Sequence, residues 1–198
     1  MLYRIVRFIC APIFKLIFGV EVRGKENIPQ NGGYIICPNH ISIADVLVLA
    51  VAFKCHIRYM GKEELFKNPV LGVLLKALGC FAVKRGKGDM GAINSACDIL
   101  NKGGIFGIFP EGTRSKTGKP TKGKTGAAMI SMKTKAPLLP VGIRYENNKP
   151  KLFGKTYVNI GKLIEYKEPD EGVSLRTELR DITENLMNNI VNLWEMKA

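Results

Sequence analysis

The amino-acid sequence predicts an α/β fold with a mixed, largely parallel central sheet flanked by helices. Short apolar, β-rich runs alternate with helical patterns along most of the chain, which is typical of strands joined by crossover helices. The chain has 198 residues and a hydrophobic content of 46%, which suits one domain with a buried core. No repeat or long linker marks a second domain.

The first twenty residues are apolar except for the cations Arg4, Arg7 and Lys15. On a helix these three lie within roughly 80° of one another, at about 100° per residue. The uninterrupted apolar run from Phe8 to Phe14 is too short to cross a bilayer, which needs about 20 residues. We therefore predict a membrane-interfacial helical anchor over residues 1–20 and a single α/β domain over residues 21–198. The alternatives are a helix that docks on the core and a signal peptide, although no small-x-small cleavage site is evident.

The remaining elements follow in chain order. The predicted strands are Tyr34–Cys37, Ile57–Met60, Cys80–Val83, Ile105–Phe109 and Leu138–Ile143. The predicted helices between them are Ala44–Phe53, Pro69–Leu78, Met90–Asn101 and Gly123–Lys133. From Leu175 to Leu193 leucine and isoleucine recur every three or four residues, which predicts an amphipathic C-terminal helix.

The charge balance and the cysteines narrow the range of partners and cofactors. Thirty Lys and Arg against 17 Asp and Glu give a formal net charge of +13, which attracts nucleic acid, anionic lipid headgroups, phosphorylated substrates or an acidic carrier protein. Nucleic acid is not expected, because no reader motif is present and few aromatic residues lie among the cations. The five cysteines are scattered and only two histidines occur, so we expect reduced thiols in a cytosolic protein and no metal site.

A histidine and a carboxylate lie together in the run from Asn39 to Asp45, directly after a predicted strand. Ser42 can be the N-cap of the next helix, with Asp45 as its capping-box partner. If a loop places His40 against Asp45, the carboxylate fixes one ring nitrogen and leaves the other to accept a hydroxyl proton. The motif predicts this loop, because five residues on a continuous helix put the two side chains about 140° apart. A purely structural role for the pair is the alternative.

A second cluster follows the predicted strand at Ile105–Phe109. Gly112 allows backbone amides to approach an anion, the Thr113 hydroxyl can donate to it, and Arg114 offers a fork that matches phosphate oxygens. Glu111 can clamp Arg114 in one orientation or bind a substrate hydroxyl. The alternative is a basic solvated loop, given the lysines that follow. Arg85, in Lys84-Arg85-Gly86, is either a further phosphate contact or part of a solvated turn.

Four ordered blocks in this chain resemble those of the glycerolipid acyltransferases. The blocks are His40-x-x-x-x-Asp45, Lys84-Arg85-Gly86, Phe109-Pro110-Glu111-Gly112-Thr113-Arg114-Ser115 and Ala136-Pro137-Leu138-Leu139-Pro140-Val141. They cover more than half of the chain and look most like the lysophosphatidic acid acyltransferase branch. The first block alone is a weak signal, whereas four blocks in this order are specific.

The resemblance implies transfer of a fatty acyl group from an acyl thioester to the free hydroxyl of lysophosphatidic acid, giving phosphatidic acid. It implies His40 as the base and Asp45 as its orienting partner. It also implies a phosphate grip by Arg85, Glu111, Gly112 and Arg114 and places Pro140 at the acyl-donor side. No cofactor is expected, since acyl-coenzyme A or acyl carrier protein is a substrate. The expected location is the cytoplasmic face of the cell membrane, peripheral or monotopic.

The alternatives keep the same basic site but change its use. The acceptor can be another lysophospholipid or glycerol 3-phosphate. A chain of another class, a non-catalytic phospholipid-binding membrane protein, would have the same cations without the base chemistry. Assays with lysophosphatidic acid and acyl thioesters separate these alternatives.

Overall fold

A computed structural model of the chain describes residues 11–77, 79–83, 90–169 and 171–196 and, for residues 62, 70, 71 and 74, the backbone alone. The strands are β1 (Val20–Arg23), β2 (Ile35–Pro38), β3 (Ile57–Lys62), β4 (Cys80–Val83), β5 (Ile105–Gly107), β6 (Leu138–Tyr145) and β7 (Thr156–Ile160). The helices are α1 (residues 11–18), α2 (Asp45–Ala52), α3 (Pro69–Ala77), α4 (Met90–Asn101), α5 (Gly126–Thr134) and α6 (Leu175–Glu195), with short 3-10 helices at Lys25–Asn27 and Glu63–Phe66.

The strands form one seven-stranded sheet in the order β1-β7-β6-β2-β5-β3-β4. Only β6 and β7 pair antiparallel, and every other neighbouring pair is parallel. β1 and β7 therefore run opposite to the other strands. This arrangement confirms the predicted α/β class and the largely parallel sheet.

The sheet is buried on both faces, and alternate residues of β2 show why. Tyr34, just before β2, and Ile36 belong to one core cluster with the apolar residues of α2, whereas Ile35 and Cys37 belong to a second cluster with residues of α4, α5 and α6. Successive strand side chains point to opposite faces. A continuous apolar run in the sequence is therefore what a doubly covered strand requires.

Two strands at one side of the sheet were not predicted from the sequence. β1 is only four residues long and includes two charged residues, Glu21 and Arg23. It pairs with β7, which lies near the other end of the domain. Short strands such as β1 and β7 are stabilised by cross-strand pairing and burial rather than by local propensity. Neither segment taken alone therefore predicts a strand. β5 also ends at Gly107 instead of the predicted Phe109.

The N-terminal prediction is only partly within the described residues. Residues 11–18 are helical, and residues 1–10 of the predicted anchor lie outside the described part of the chain. Val20 is buried and pairs with Thr156, so the α/β domain begins at least one residue before the predicted boundary at 21. No described helix is long and apolar enough to span a bilayer.

Candidate active site

The carboxyl ends of β2, β5 and β6 bring the candidate site together. β2 pairs in parallel with both β5 and β6, so the segments that follow these three strands leave the same edge of the sheet. His40 lies in the loop after β2, and residues 109–115 follow β5. In open α/β sheets this edge is where ligands bind.

His40 and Asp45 are in direct contact, as the predicted loop requires. His40 Nδ1 lies 2.8 Å from Asp45 Oδ2. The carboxylate accepts hydrogen bonds only, so Nδ1 carries the proton and Nε2 keeps its lone pair. The His40 side chain is 18% exposed and that of Asp45 is fully buried. This geometry leaves Nε2 as the ring atom able to accept a proton from a bound hydroxyl.

The Asp45 carboxylate is fully occupied by hydrogen bonds. Besides His40, Oδ2 accepts from the backbone N–H groups of Ile41 at 2.7 Å and Ser42 at 2.9 Å. Oδ1 accepts from the Tyr145 hydroxyl at 2.6 Å. These donors fix the orientation of the buried carboxylate beside the imidazole.

Tyr145 is a buried residue at the last position of β6. Burial raises the pKa of its hydroxyl far above the ordinary value, and the neighbouring Asp45 charge and hydrogen bond raise this pKa further. Tyr145 therefore remains protonated throughout the neutral range and acts as a constant hydrogen-bond donor to Asp45.

The capping prediction for Ser42 is wrong. Helix α2 begins at Asp45 with Ala44 as its N-cap, and no side-chain hydrogen bond caps it. The Ser42 hydroxyl instead accepts from the Ala44 N–H at 3.2 Å. The Asp45 carboxylate bonds back to the Ser42 N–H as a capping-box acid would, but the same carboxylate also holds His40, so the local turn serves the pair.

The imidazole orientation is also set by an aromatic contact. The His40 ring stacks on Phe109, with centroids 3.9 Å apart and planes 21° apart. Phe109 in turn stacks on Tyr59, at 6.4 Å and 18°. A side chain held on one face by a ring and at one edge by a carboxylate has little rotational freedom. Nε2 is thus fixed in direction before any substrate binds.

The backbone N–H and carbonyl of His40 are both hydrogen-bonded to the loop after β5. The His40 N–H donates to Glu111 Oε1 at 2.7 Å. The His40 carbonyl accepts from the Ser115 N–H at 2.8 Å. The two sequence motifs are therefore joined at the histidine itself, and Arg114 is one residue from this junction.

The carboxylate of Glu111 has a different role from the predicted one. Its side chain is buried, with 1% exposure. While Oε1 accepts from His40, Oε2 accepts from the Thr121 N–H at 2.9 Å and from the Thr121 hydroxyl. No ion pair joins it to Arg114 in the described part of the chain. A buried carboxylate with both oxygens engaged by the protein clamps two loops together and is not free to grip a phosphate or a substrate hydroxyl.

The residues between Glu111 and Ser115 form an exposed, anion-compatible turn. Gly112 has a φ of +67°, a left-handed conformation that favours glycine. Thr113 and Arg114 are exposed. The Lys124 side chain lies over Gly112, with Nζ 3.2 Å from the position that a Cβ there would take. The turn at Gly112 thus carries an exposed threonine and an exposed arginine and has a lysine packed over its glycine.

The comparisons with known proteins agree with this geometry. The acyltransferase family model matches residues 19–144, a range that includes both His40 and the turn at Gly112. The chain belongs to the acyltransferase family.

Individual relatives of this acyltransferase cover most of its length. It is 37% identical to the 1-acyl-sn-glycerol-3-phosphate acyltransferase of Bacillus subtilis over 77% of this chain and 79% of the relative. It is 29% identical to the protein of the same name from Borreliella burgdorferi, over 94% of this chain and 76% of the relative. The crystal structure of the 1-acyl-sn-glycerophosphate acyltransferase PlsC from Thermotoga maritima matches with a TM-score of 0.74 and 27% identity, covering 99% of this chain and 81% of that chain.

The two remaining predicted site residues are Arg85 and Pro140. Arg85 lies in residues 84–89, outside the described part of the chain. Pro140 is buried inside β6, and its Cγ packs 3.0 Å from where a Cβ on Gly161 would be. Strand alternation puts Pro140 on the face of the sheet opposite Tyr145, and its place at the acyl-donor side stays a prediction. Among the described residues, no group of three or more His, Cys, Asp or Glu side chains can hold a metal ion.

Three residues near the site were not singled out from the sequence. Tyr145 and Thr121 contact the carboxylates of Asp45 and Glu111, and Lys124 covers Gly112. Tyr145 lies two residues beyond the predicted strand Leu138–Ile143 and is the last residue of β6 in the structure, so its nearness to a strand end was the available signal. Nothing local marks Thr121, because its partner is defined only by the folded loop.

Proposed function

We propose that this chain transfers a fatty acyl group from an acyl thioester to the free hydroxyl of lysophosphatidic acid, releasing phosphatidic acid and a thiol. The observation that carries the proposal is the junction at His40. There the imidazole of His40 has a fixed Nε2, and the His40 backbone is hydrogen-bonded to an exposed cationic turn. The relatives named as 1-acyl-sn-glycerol-3-phosphate acyltransferases support this choice of acceptor.

In the proposed reaction His40 Nε2 takes the proton of the acceptor hydroxyl as the oxygen attacks the thioester carbonyl carbon. The new C–O bond forms, and the resulting tetrahedral intermediate collapses with cleavage of the C–S bond. The imidazolium returns its proton to the leaving thiolate. Asp45 holds the imidazolium throughout and is itself held by its hydrogen bond from Tyr145.

The proposed phosphate site consists of Arg114, Thr113, Lys124 and the backbone of Gly112, with Arg85 as a further cation. Arg114 matches two phosphate oxygens with its planar fork. Glu111 is proposed as a positioning residue that holds His40 against this turn. The proposed acyl donor is acyl-coenzyme A or acyl carrier protein, both of which are acidic and suit the net charge of +13, and no cofactor is proposed.

We place the protein on the cytoplasmic face of the cell membrane, held by a peripheral or monotopic anchor over residues 1–20. Within helix α1, Ile13 is 50% exposed and Leu16 is 74% exposed, and Lys15 is exposed beside them. Apolar side chains and cations on one solvent-facing helix suit the interface of an anionic bilayer.

The deciding experiment incubates purified protein with lysophosphatidic acid and either acyl-coenzyme A or acyl carrier protein and measures phosphatidic acid by mass spectrometry. Glycerol 3-phosphate and lysophosphatidylcholine serve as competing acceptors. We expect phosphatidic acid to form with the wild type and His40→Ala to lose activity by at least 1,000-fold, the upper range for a general base (~10²–10⁴).

His56→Ala is the matched control, because His56 is the other histidine and precedes β3, at the opposite edge of the sheet. It should retain activity within about a factor of two. Circular dichroism should show that both variants fold. Full activity of a folded His40→Ala protein would exclude the base assignment, and a preference for another acceptor would replace the proposed substrate.

A further inference from the structure

A loop at the active-site edge presents an unusual apolar tip. Residues 146–155 connect β6 to β7, and in this loop Leu152 is 65% exposed and Phe153 is 77% exposed. Phe153 has a φ of +60°, a conformation that is costly for a bulky residue. Exposed neighbouring Leu and Phe side chains held in a strained turn are features that suggest function rather than folding.

The loop lies beside helix α1 and is bonded to it. The Phe153 N–H donates to the Ile17 carbonyl at 2.6 Å. Gly19 approaches Gly154 so closely that a Cβ on Gly19 would lie 2.4 Å from the Gly154 carbonyl oxygen. The loop tip is therefore held against the end of the helix whose Ile13 and Leu16 are exposed.

The same loop also contacts the active-site segment on its other side. A Cβ on Gly118 would lie 2.2 Å from the Asn148 carbonyl oxygen. Gly118 belongs to the stretch between Ser115, bonded to His40, and Thr121, bonded to Glu111. The β6–β7 loop thus stands between α1 and the loop that borders the phosphate turn.

The charge around the tip favours an anionic partner. Lys149, Lys151 and Lys155 are exposed in the loop, against one exposed acid, Glu146. Lys15 adds a cation from α1. Apolar side chains at the tip and lysines at its base match the two layers of an anionic bilayer, acyl chains below and phosphates above.

We infer that Leu152 and Phe153 insert into the membrane as a second contact, and that this loop together with α1 seats the active-site edge on an anionic bilayer. This inference rests on the proposed function for its biological purpose, since the acceptor is a membrane lipid. The physical claim concerns binding to vesicles and is testable without catalysis. With two contacts, α1 and the β6–β7 loop, the active site has a defined orientation at the lipid surface. With α1 as the single contact, the domain could rotate about it.

The test measures co-flotation of the full chain with vesicles of phosphatidylglycerol and phosphatidylethanolamine. Leu152→Ser combined with Phe153→Ser should lower vesicle partitioning about tenfold or more, because two large apolar side chains lose their burial. Val173→Ser combined with Leu175→Ser is the matched control: Val173 is 40% exposed and Leu175 is 55% exposed, and they lie outside the loop. The control should bind as the wild type does.

Insertion itself is measured with Phe153→Trp. We expect its fluorescence to shift to the blue on vesicles and to be quenched by brominated acyl chains, over the background of buried Trp194. Unchanged flotation of the serine variant, or a Trp at 153 that is never quenched, would overturn the inference. A serine variant that changes only self-association, measured by analytical ultracentrifugation, would overturn it as well.

Activity assays separate this inference from the proposed function. The serine variant should lose activity on lysophosphatidic acid embedded in vesicles but keep it on a short-chain, water-soluble form. If the wild type acylates neither form, the proposed function fails while flotation and quenching still decide the role of the loop.

Discussion

His40 is constrained at every group it offers except one ring nitrogen. Asp45 holds Nδ1, Phe109 stacks on the ring, and Glu111 and Ser115 bind its backbone N–H and carbonyl. A reacting group that is already oriented avoids the entropic cost of orientation during the reaction. At this scale, the residues that contact Asp45 and Glu111 are as important to the site as the base is.

Tyr145→Phe tests the outer contact of this arrangement. Removing the hydroxyl leaves Asp45 Oδ1 buried without its donor, which should lower the free energy of unfolding by about 1–3 kcal/mol. The kcat for acyl transfer should fall severalfold with little change in KM, because the change acts through Asp45 and not on substrate. Urea unfolding and steady-state kinetics measure the two effects.

Tyr34→Phe is the control for loss of a buried hydroxyl away from the site. Tyr34 is fully buried in the same core cluster, and its hydroxyl lies 3.6 Å from Cys55 Sγ. It should alter stability without a selective fall in kcat. Equal kinetic effects of the two variants would contradict a specific role for Tyr145.

Arg114→Ala and Glu111→Ala distinguish phosphate binding from loop clamping. Loss of the exposed guanidinium should raise KM for lysophosphatidic acid by about tenfold or more while KM for the thioester changes little. Loss of the buried Glu111 carboxylate should lower kcat and the free energy of unfolding, because two backbone donors lose their acceptor.

Lys116→Ala is the charge-matched control for Arg114, since Lys116 is an exposed cation in the same loop. It should leave KM for the acceptor nearly unchanged. An Arg114→Ala enzyme with normal acceptor dependence would exclude the proposed phosphate contact, and a Glu111→Ala enzyme changed only in acceptor KM would restore the predicted phosphate role of Glu111.

At the scale of elements, β6 links the site to the rest of the sheet. Its last residue, Tyr145, binds Asp45, and Ile143 exchanges two hydrogen bonds with the Asn39 side chain, at 2.6 and 2.9 Å. Asn39 thus continues the pairing of β2 with β6 beyond the end of β2. Helix α6 covers the face of β6 that lies away from Tyr145. The position of this helix therefore affects the strand that supports the site.

Gly142→Ala tests the contact between β6 and α6. A Cβ at this position would lie 2.5 Å from the Trp194 backbone nitrogen and 2.6 Å from the Leu193 carbonyl carbon, so the helix must move away. We expect the free energy of unfolding to fall by about 1–3 kcal/mol, as for an overpacked core. Thermal or urea unfolding measures the change.

Gly126→Ala is the paired control, at the start of α5. The nearest atom to its new Cβ is Ile108 Cδ1 at 3.8 Å, an ordinary contact. This variant should be neutral or stabilised by up to about 1 kcal/mol, because alanine favours a helix over glycine. If Gly142→Ala were equally harmless, the close packing of α6 on β6 would be disproved.

At the scale of the whole molecule, one sheet edge collects the site and the proposed membrane contacts. The register pairs Thr156 with both Val20 and Tyr145, so α1 and the β6–β7 loop leave the sheet where Tyr145 meets Asp45. An enzyme proposed to act on a lipid thereby has its base, its cationic turn and its apolar surfaces on a common side.

Removal of residues 2–16 tests the proposed anchor. The deletion spares Ile17, which bonds to Phe153, and Val20, which pairs with Thr156. Flotation with anionic vesicles should fall by at least tenfold, and the remaining binding should weaken further with added salt, because the lysine–phosphate attraction is screened. Activity on a soluble short-chain acceptor should persist.

A milder variant, Ile13→Ser with Leu16→Ser, controls for damage by truncation. It changes only exposed side chains and should reduce flotation part of the way. Full vesicle binding by both the truncated and the substituted protein would move the membrane contact away from residues 1–20.

Elements with a strong local signal could be predicted from the amino-acid sequence. Periodic apolar residues predict α4 and α6, and the predicted bounds of β4, Cys80–Val83, agree with the structure. The spacing of the first motif also predicted a loop at His40, which is the condition under which His40 meets Asp45. These features depend on neighbours in the chain, whose geometry is set by backbone sterics and spacing.

Contacts between residues far apart in the chain are seen only in the folded protein. β1 forms because β7 supplies its hydrogen bonds, and β7 pairs with β6 on its other side. Glu111 binds the His40 backbone and Thr121 instead of Arg114, and Tyr145 binds Asp45. The physical reason is common to all of these: a buried polar group takes whichever partner the packed chain brings within hydrogen-bond distance, and residue spacing does not encode that partner.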